Sequence, residues 1–493
     1  MSISTAVDLS AVARTVGIKT EFKNLMASNV LYLPQRLAII GQGASSVTYS
    51  NDKQQFTSAQ SVASAYGHGS ALHLAALQVL PDVGSIPVTV YPLADDPSGV
   101  ASTADITPSG ASTGVGSFVV MIGGQRSEGF SIGNGDTVEQ INAKITTAIN
   151  ASLNVPMIAS DNTTNVGLTC KWKGSSGNSI TLKIVETSNN STGVSFAVTQ
   201  PNAGLVNPSV QPALDQIGNV WETMILNCLE ISDTAALEAF KVEGESRWGA
   251  LVRKPFLVFT GNTSSSVADA TTVSSSRASD RVNGQLVAPG SEELPFVVAA
   301  KTLSKIIVTA NNNPARDYAC QEVLNVKPGV DSTQWNYADR DQAIKSGSST
   351  VEVKDNVINI SDTVTFYHPD GDPTPAYRYV CDVVKLTNII FNLDLLFNNT
   401  EWAGAPLVPD GQPTVNPEAK KPSQAVASIS SFLDNLELLA LISDADTAKK
   451  NTSAAISAQN PKRLDVQTVV QLAGNANIIS VDLDFGFYFG RIN

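Results

Sequence analysis

A chain of 493 residues has room for roughly three domains with sizeable cores. Its 45 Asp and Glu against 32 Lys and Arg leave a net charge of −13, which excludes a body built to grip polyanions, so no direct nucleic-acid contact is expected. With 42% hydrophobic and 16% charged residues the chain is neither disordered nor supercharged.

Residues 1–30 carry one alternating stretch, with Val16, Ile18, Thr20 and Phe22 on one face and Gly17, Lys19, Glu21 and Lys23 on the other. It reads as a strand with no hairpin partner beside it, so its backbone must pair at a distance, in its own domain or on a neighbouring molecule's sheet edge. No charged segment precedes an apolar run here, and no later stretch approaches the roughly eighteen apolar residues of a membrane span. The expectation is a soluble protein made in the cytoplasm, with no stable membrane association.

From Arg36 the reading is α/β. LAIIG is a buried strand and residues 86–91 are another, with two helices between them. The second helix is capped by Ser70, carries Leu72, Ala75, Ala76 and Val79 at i, i+3, i+4 and i+7, and stops before Pro81. Residues 97–210 then hold five Lys or Arg and six Asp or Glu in 114 positions, a dilution of charge that marks an insertion. Val166, Leu168, Cys170 and Trp172 alternate with polar residues, as do Ile180, Leu182 and Ile184, and Val194, Phe196 and Val198. One helix, with Val138, Ile141, Ile145 and Ile149 on a face and Asp136 near its start, interrupts them. This is read as a small, mostly β peripheral domain, with the Gly- and Ser-rich residues 98–117 as its flexible lead-in.

The α/β rhythm returns after Pro212. Residues 224–229 form a strand, Asp233 caps a helix ending at Gly244, and residues 256–260 and 282–287 continue a parallel sheet. Residues 294–307 read as helix or helix-to-strand. From about Ser346 come short strands around Val351 and Val357, then helices carrying Val380, Val383, Val384, Thr387, Phe391 and Leu395, and Ala425, Ile429, Phe432, Leu436 and Leu439. At the end, Leu464, Val466, Thr468, Val470 and Leu472 alternate, Gly474 and Asn475 read as a turn, and Ile479, Val481, Leu483, Phe485, Phe487 and Phe489 alternate again. An apolar-faced strand at a chain end must be covered by its own sheet or by a neighbour's.

The fold class is thus α/β, or α+β overall, and multidomain. The divisions are an arm at 1–30, an α/β body at 31–96 plus 211–345, the insertion at 97–210, and a C-terminal α+β domain at 346–493. No catalytic, cofactor or metal site is assigned. His68 and His73 are five apart and His368 is remote, which gives no metal-ligand spacing. Cys170, Cys228, Cys320 and Cys381 form no C-x-x-C pair and read as reduced, buried packing residues. There is no G-x-S-x-G and no phosphate loop, and Gly41-Gln42-Gly43 lacks the third glycine of a dinucleotide turn. The pairs Asp95 with Asp96 and Glu292 with Glu293 read as surface groups. So do the basic pairs Lys449 with Lys450 and Lys462 with Arg463, which could otherwise meet an acidic partner.

The segment AYGHGSALHLAALQVLP following LAIIGQG resembles the front of contractile-tail sheath proteins of phages, in particular the Mu-like tail sheath family. The resemblance extends to RWGALVRKPFLVFTGNT at 247–263, to the closing VVQLAGNANIISVDLDFGFYFG, and to the order of parts. The 97–210 insertion is its least diagnostic stretch. It implies a structural, non-enzymatic virion subunit without cofactors, assembled in the host cytoplasm. Such a subunit polymerises with itself as stacked hexameric rings in a helical sheath around the inner tail tube protein, and meets baseplate and tail terminator proteins. The sheath shortens, by repacking of its subunits and without nucleotide, to drive the tube through the host envelope.

The same resemblance implies that terminal arms complete a sheet in neighbouring subunits. Val16, Ile18 and Phe22 would be donated by one arm and Ile479, Val481, Leu483, Phe485 and Phe487 by the other, with the helix holding Lys385 and Asp394 a candidate to face the tube. The readings weighed against it are a surface carbohydrate-binding or adhesive protein working through residues 97–210, an α/β enzyme with an unrecognised site, and a tube or baseplate component.

Overall fold

Strand Leu37–Gln42, buried at all six positions, is the one on which the rest of the body is laid down. The structure is a computed structural model that describes residues 31–188, 191–372 and 375–485. The main sheet has the order Asn283–Val287, Leu257–Asn262, Met224–Asn227, Leu37–Gln42, Val88–Leu93, Gln54–Phe56. The first five strands are parallel, with Ile39 level with Leu226 on one side and Val90 on the other, and the short last strand is antiparallel. Because side chains alternate along a strand, Leu37 and Ile39 pack on one face with Leu72, Ala76, Leu303 and Ile307. Ala38 and Ile40 pack on the other with Leu214, Ile217, Ala236 and Phe240. Helices on both faces are what a parallel sheet needs, and they explain why its strands read as continuous apolar runs.

Ser70 caps helix Ala71–Val79 by accepting from the His73 N–H, as its position in the sequence requires. The undivided stretch at 294–307 is one helix, Pro295–Asn312, opened by proline. Gly244 does not end its helix, which runs Thr234–Arg247. It sits inside at a close approach, where an added Cβ would lie 2.4 Å from Val282 Cγ1. Glycine here serves packing against the sheet edge, a signal that local sequence cannot separate from a stop.

The inserted residues form two antiparallel sheets. One has the order Ser195–Val198, Thr103–Ser109, Val166–Cys170, Met157–Asp161. In the other, Gly116–Ile122 pairs with Leu182–Glu186, Gln125–Arg126 and Phe130–Ile132. Helix Val138–Asn150 is capped by Thr137 and Gln140 in a reciprocal box, while Asp136 accepts from Gly133 N–H and pairs with Lys144. Residues 98–117 are not a flexible lead-in, since Thr103–Ser109 lies between two partners in its sheet and buries Ala104 and Ile106. Gly and Ser content hid an alternating strand.

Two seams join these sheets to the body. At one, Lys171 Nζ donates to His68 O at 3.0 Å and Leu153 O at 3.2 Å, and the buried Trp172 meets Phe296 edge-on. At the other, Thr181 Oγ1 donates to Glu292 O, Lys183 pairs with Glu292 at 3.1 Å, and Glu293 lies buried against Gly124. Glu293 is therefore not the surface group its sequence context implied.

Strands Thr350–Lys354 and Val357–Asp362 form a small sheet with Glu322–Val323, and helix Val380–Phe397 sends Val380, Val383 and Val384 into the main core. Compactness divides the chain at Gly404 and not near 346: one unit is Tyr32–Gly404 with Ala440–Ser443 and the chain from Val470, the other Ala405–Leu439 with Asp444–Val469. The second unit holds helix Pro422–Leu438, which buries Ala425, Ile429, Phe432, Leu433 and Leu436, and the hairpin of Ser453–Ile456 with Leu464–Gln467. Gly474 and Asn475 do not turn a hairpin. Gln471–Leu472 pairs instead with Ile442–Ser443, and residues 473–485 form no strand. Cys170, Cys228 and Cys381 are buried free thiols, but Cys320 is exposed. Among the described residues no helix is long and apolar enough to cross a membrane.

Two tests follow. Gly244→Ala gains helix propensity but overpacks Val282, so it should lower unfolding free energy by about 1–2 kcal/mol in urea titration, and a stabilised variant would contradict the close approach. Burial pushes the Glu293 carboxyl up to about 7, with Lys327 opposing and Glu292 adding to the shift. Burial, then His68 and Lys171, hold His73 down to about 4. The folded state thus keeps the Glu293 proton longer than the unfolded chain, and its contribution falls as pH rises from about 4.5 through 7. His73 acts oppositely, its contribution falling as pH drops from about 6.5 towards 4. Glu293→Gln should raise Tm relative to the parent progressively across pH 4.5–7 and then level off; a Tm difference independent of pH would refute the assignment.

Candidate assembly interface

After Ala473 the chain carries apolar side chains at alternate positions and leaves them in water. Ile479, Val481, Leu483 and Phe485 are 79%, 78%, 80% and 83% exposed, with Ser480, Asp482 and Asp484 between them. A period-two pattern is that of a strand with one face to bury, yet no ladder forms along it among the described residues. Val16, Ile18, Phe22 and Phe487 lie outside the described residues. An exposed apolar run of this kind marks a surface meant for another chain.

The root of the segment is held firmly. Lys385 Nζ donates to Ala473 O at 2.6 Å, to Asn475 Oδ1 at 2.5 Å and to Asp382 Oδ1 at 3.0 Å. Asn475 Nδ2 in turn donates to Ala315 O at 2.9 Å, and Ala473 N–H to Leu441 O at 3.2 Å. Lys385, expected as a tube-facing candidate, is instead completely buried with all three donors used within the chain. A lysine in a mostly apolar helical stripe reads as solvent-facing from sequence, and only the return of residues 473–475 shows what it holds. Asp394 does reach the surface, 37% exposed, where it pairs with Arg253 at 2.9 Å. It lines an open groove of about 570 Å³ with Trp248, Pro255, Leu393 and Phe397.

The hairpin of Ser453–Ile456 and Leu464–Gln467 is a two-stranded sheet in register Ser453 to Gln467 through Ile456 to Leu464. Two strands alone are marginally stable in water, and among the described residues no further strand pairs with either outer edge. One member of each basic pair nearby is occupied: Lys449 bonds Asp434 and Asp446, and Arg463 bonds Asp465 at 2.6 Å.

The ligand position of an open α/β sheet is filled by the protein itself. Chain order reverses between Leu37–Gln42 and Met224–Asn227, which is where such sheets bind small molecules. There Gln42 Nε2 bonds Asp95 at 2.6 Å and Lys173 O at 2.8 Å, Ser175 Oγ bonds Glu230, and Asn207 bonds Asp233 at 2.9 Å. Gly43 lies so close under Tyr49 that an added Cβ would meet its ring at 2.4 Å. The His68 and His73 rings stack edge to face at 5.3 Å within the seam, with His73 Nδ1 accepting from Gly69 N–H. Among the described residues no cluster of His, Cys, Asp or Glu could hold a metal ion.

The α/β body has its crevice filled by its own side chains, and an exposed apolar segment follows it. In sequence the chain is similar to a tail sheath protein of a Mu-like prophage. The Mu-like prophage FluMu tail sheath protein of Haemophilus influenzae is 24% identical over 431 residues, 85% of this chain and 86% of that one. No family model matches. Among solved structures, the sheath tail protein from Listeria innocua aligns with TM-score 0.48 at 11% identity, covering 91% of this chain and 94% of that one. The sheath complex of an extracellular contractile injection system in its contracted state aligns with TM-score 0.47 at 8% identity, covering 97% and 99%.

Since Ile479, Val481 and Leu483 touch little within the subunit, replacing all three with Ser should change the free energy of unfolding of the isolated chain by under about 0.5 kcal/mol per site in chemical denaturation. A loss of several kcal/mol would show that the segment is part of the monomer's core.

Proposed function

We propose that the chain is the structural subunit of a contractile tail sheath, which polymerises as stacked hexameric rings around an inner tail tube and shortens to drive that tube through a host envelope. The observation that carries the assembly part is the pinned, alternating segment from 473 to 485, and the sequence relationship to a tail sheath protein carries the rest. The segment is donated to a neighbouring subunit, where it adds to an outer edge of the hairpin Ser453–Ile456 with Leu464–Gln467. Val16, Ile18, Phe22 and Phe487 extend the same role to both chain ends. Burying four such side chains is worth about 6–12 kcal/mol before the cost of ordering the segment, enough for a lasting link. Backbone bonding supplies the affinity and the period-two pattern fixes the register.

The role is structural and not catalytic. The free energy of shortening comes from the difference in subunit packing between two lattices, while the donated strands stay paired. The partners are further copies of the chain, the tube protein, and the baseplate and terminator proteins at the two ends. The place of action is the virion tail after assembly in the host cytoplasm. By role, the chain divides into an arm at 1–30, a body at 31–96 plus 211–345, a peripheral insertion at 97–210 and an assembly region at 346–493, the last of which spans the boundary in compactness at Gly404.

Removing residues 478–493 should leave a folded subunit, with Tm within a few degrees of the full chain, that no longer forms hollow tubes in electron micrographs at concentrations where the full chain does. Tubes formed equally well without these residues would refute strand donation.

A further inference from the structure

Both ends of the described chain are tied to one helix. On the N-terminal side the N–H of Leu33, a buried residue, donates to Asn388 Oδ1 at 2.8 Å, and Asn388 Nδ2 donates to Val384 O at 2.9 Å. On the C-terminal side Lys385 Nζ holds Ala473 O and Asn475 Oδ1. Positions 385 and 388 are three apart on helix Val380–Phe397, so they are neighbours on one face. The two chain ends, 440 residues apart at Leu33 and Ala473, thus leave the body within one helical turn of each other.

Neither side chain is there for packing. Both are completely buried beside the apolar Val380, Val383 and Val384. A buried ammonium and a buried amide are costly unless bonded, and apolar residues of similar volume would fill the space without that cost. What the polar pair adds is bonds to the two departing ends.

We propose that Lys385 and Asn388 act as a two-point clamp holding the roots of both terminal segments on one helix, so that tension between neighbouring subunits enters the body there. Load arriving on one arm then leaves by the other across a single helical turn and does not shear the central sheet. The source of the tension rests on the sheath reading, whereas the clamp is a property of one subunit, and the two can fail separately.

The experiment compares the full-length chain with Lys385→Met, Asn388→Ala and Asn475→Ala. Hydrogen exchange by mass spectrometry on the unassembled chain should show peptides spanning 471–477 exchanging about tenfold faster in Lys385→Met and Asn475→Ala, with strand Leu37–Gln42 unchanged. Peptides beginning at Tyr32 should respond in the same way to Asn388→Ala. Polymers of each variant, triggered to shorten by dilute urea and imaged by electron microscopy, should break into short stacks where the parent shortens as one continuous sleeve. Unchanged exchange at both roots overturns the clamp, whatever the chain assembles into. Faster exchange with sleeves that shorten intact overturns its role in carrying tension. If Lys385→Met does not fold, Asn475→Ala decides the same point, because its side chain lies outside the helix and is only half-buried. A parent chain that never polymerises would sink the sheath reading but leave the exchange result to judge the clamp.

Discussion

Apolar side chains in alternate register cannot be left in water without forgoing the burial that stabilises proteins, and from Ile479 to Phe485 this chain leaves four of them there. Their root is fixed by a buried lysine, so the segment cannot wander far from Ala473. Much of the rest follows from that constraint. A strand added to a neighbour's sheet buries one face, satisfies the backbone along its length and sets register by side-chain period. Such a joint does not depend on how the two bodies are oriented, and that is what a link between subunits needs if their bodies repack while the polymer stays whole.

The body is suited to move as a unit. Its parallel sheet is buried on both faces, and the inserted sheets are sewn to it at two seams, through Lys171 with Trp172 and through Glu292 with Glu293. One hydrophobic cluster runs through both, from Leu37 to Trp172 and Phe296, so the insertion is not a loosely hung appendage. The crevice where an α/β enzyme would bind its ligand is taken up by Lys173, Ser175 and Asn207 of the same chain. A ligand position used for chemistry in other α/β folds is filled here with the protein's own side chains.

What could be read from sequence was what depends on local period. The strands at Leu37 and Met224, the Ser70 cap and the stripe Ala425, Ile429, Phe432 and Leu436 follow from alternation or from helical spacing alone. The exposed terminal pattern was equally plain, because among the described residues nothing buries Ile479, Val481 and Leu483. Features set by distant chain were not legible. Gly244 looks like a helix stop until Val282 is placed against it, and Lys385 looks like a surface charge until Ala473 returns to it. The pair Gly474 and Asn475 has the composition of a turn, but Asn475 is held by Lys385 and Ala315, which are remote in sequence. Strand Thr103–Ser109 was lost among Gly and Ser because its buried positions are only Ala104, Ile106 and Pro108, two of them poor strand markers.

The central claim is that the terminal segment of one copy pairs with the hairpin of another. The most direct measurement mixes two chains, each with Cys320→Ser to remove the exposed native thiol and with Cys170, Cys228 and Cys381 left buried: one carrying Leu483→Cys and the other Ala455→Cys. After assembly and mild oxidation the products are run on a non-reducing denaturing gel. Because neither chain carries both engineered cysteines, a crosslink between those two positions can form only between copies. The account predicts covalent dimers in the mixture, absent from either chain assembled alone. Polymers that assemble normally yet release only monomers, with the engineered thiols shown to be reactive, would contradict it.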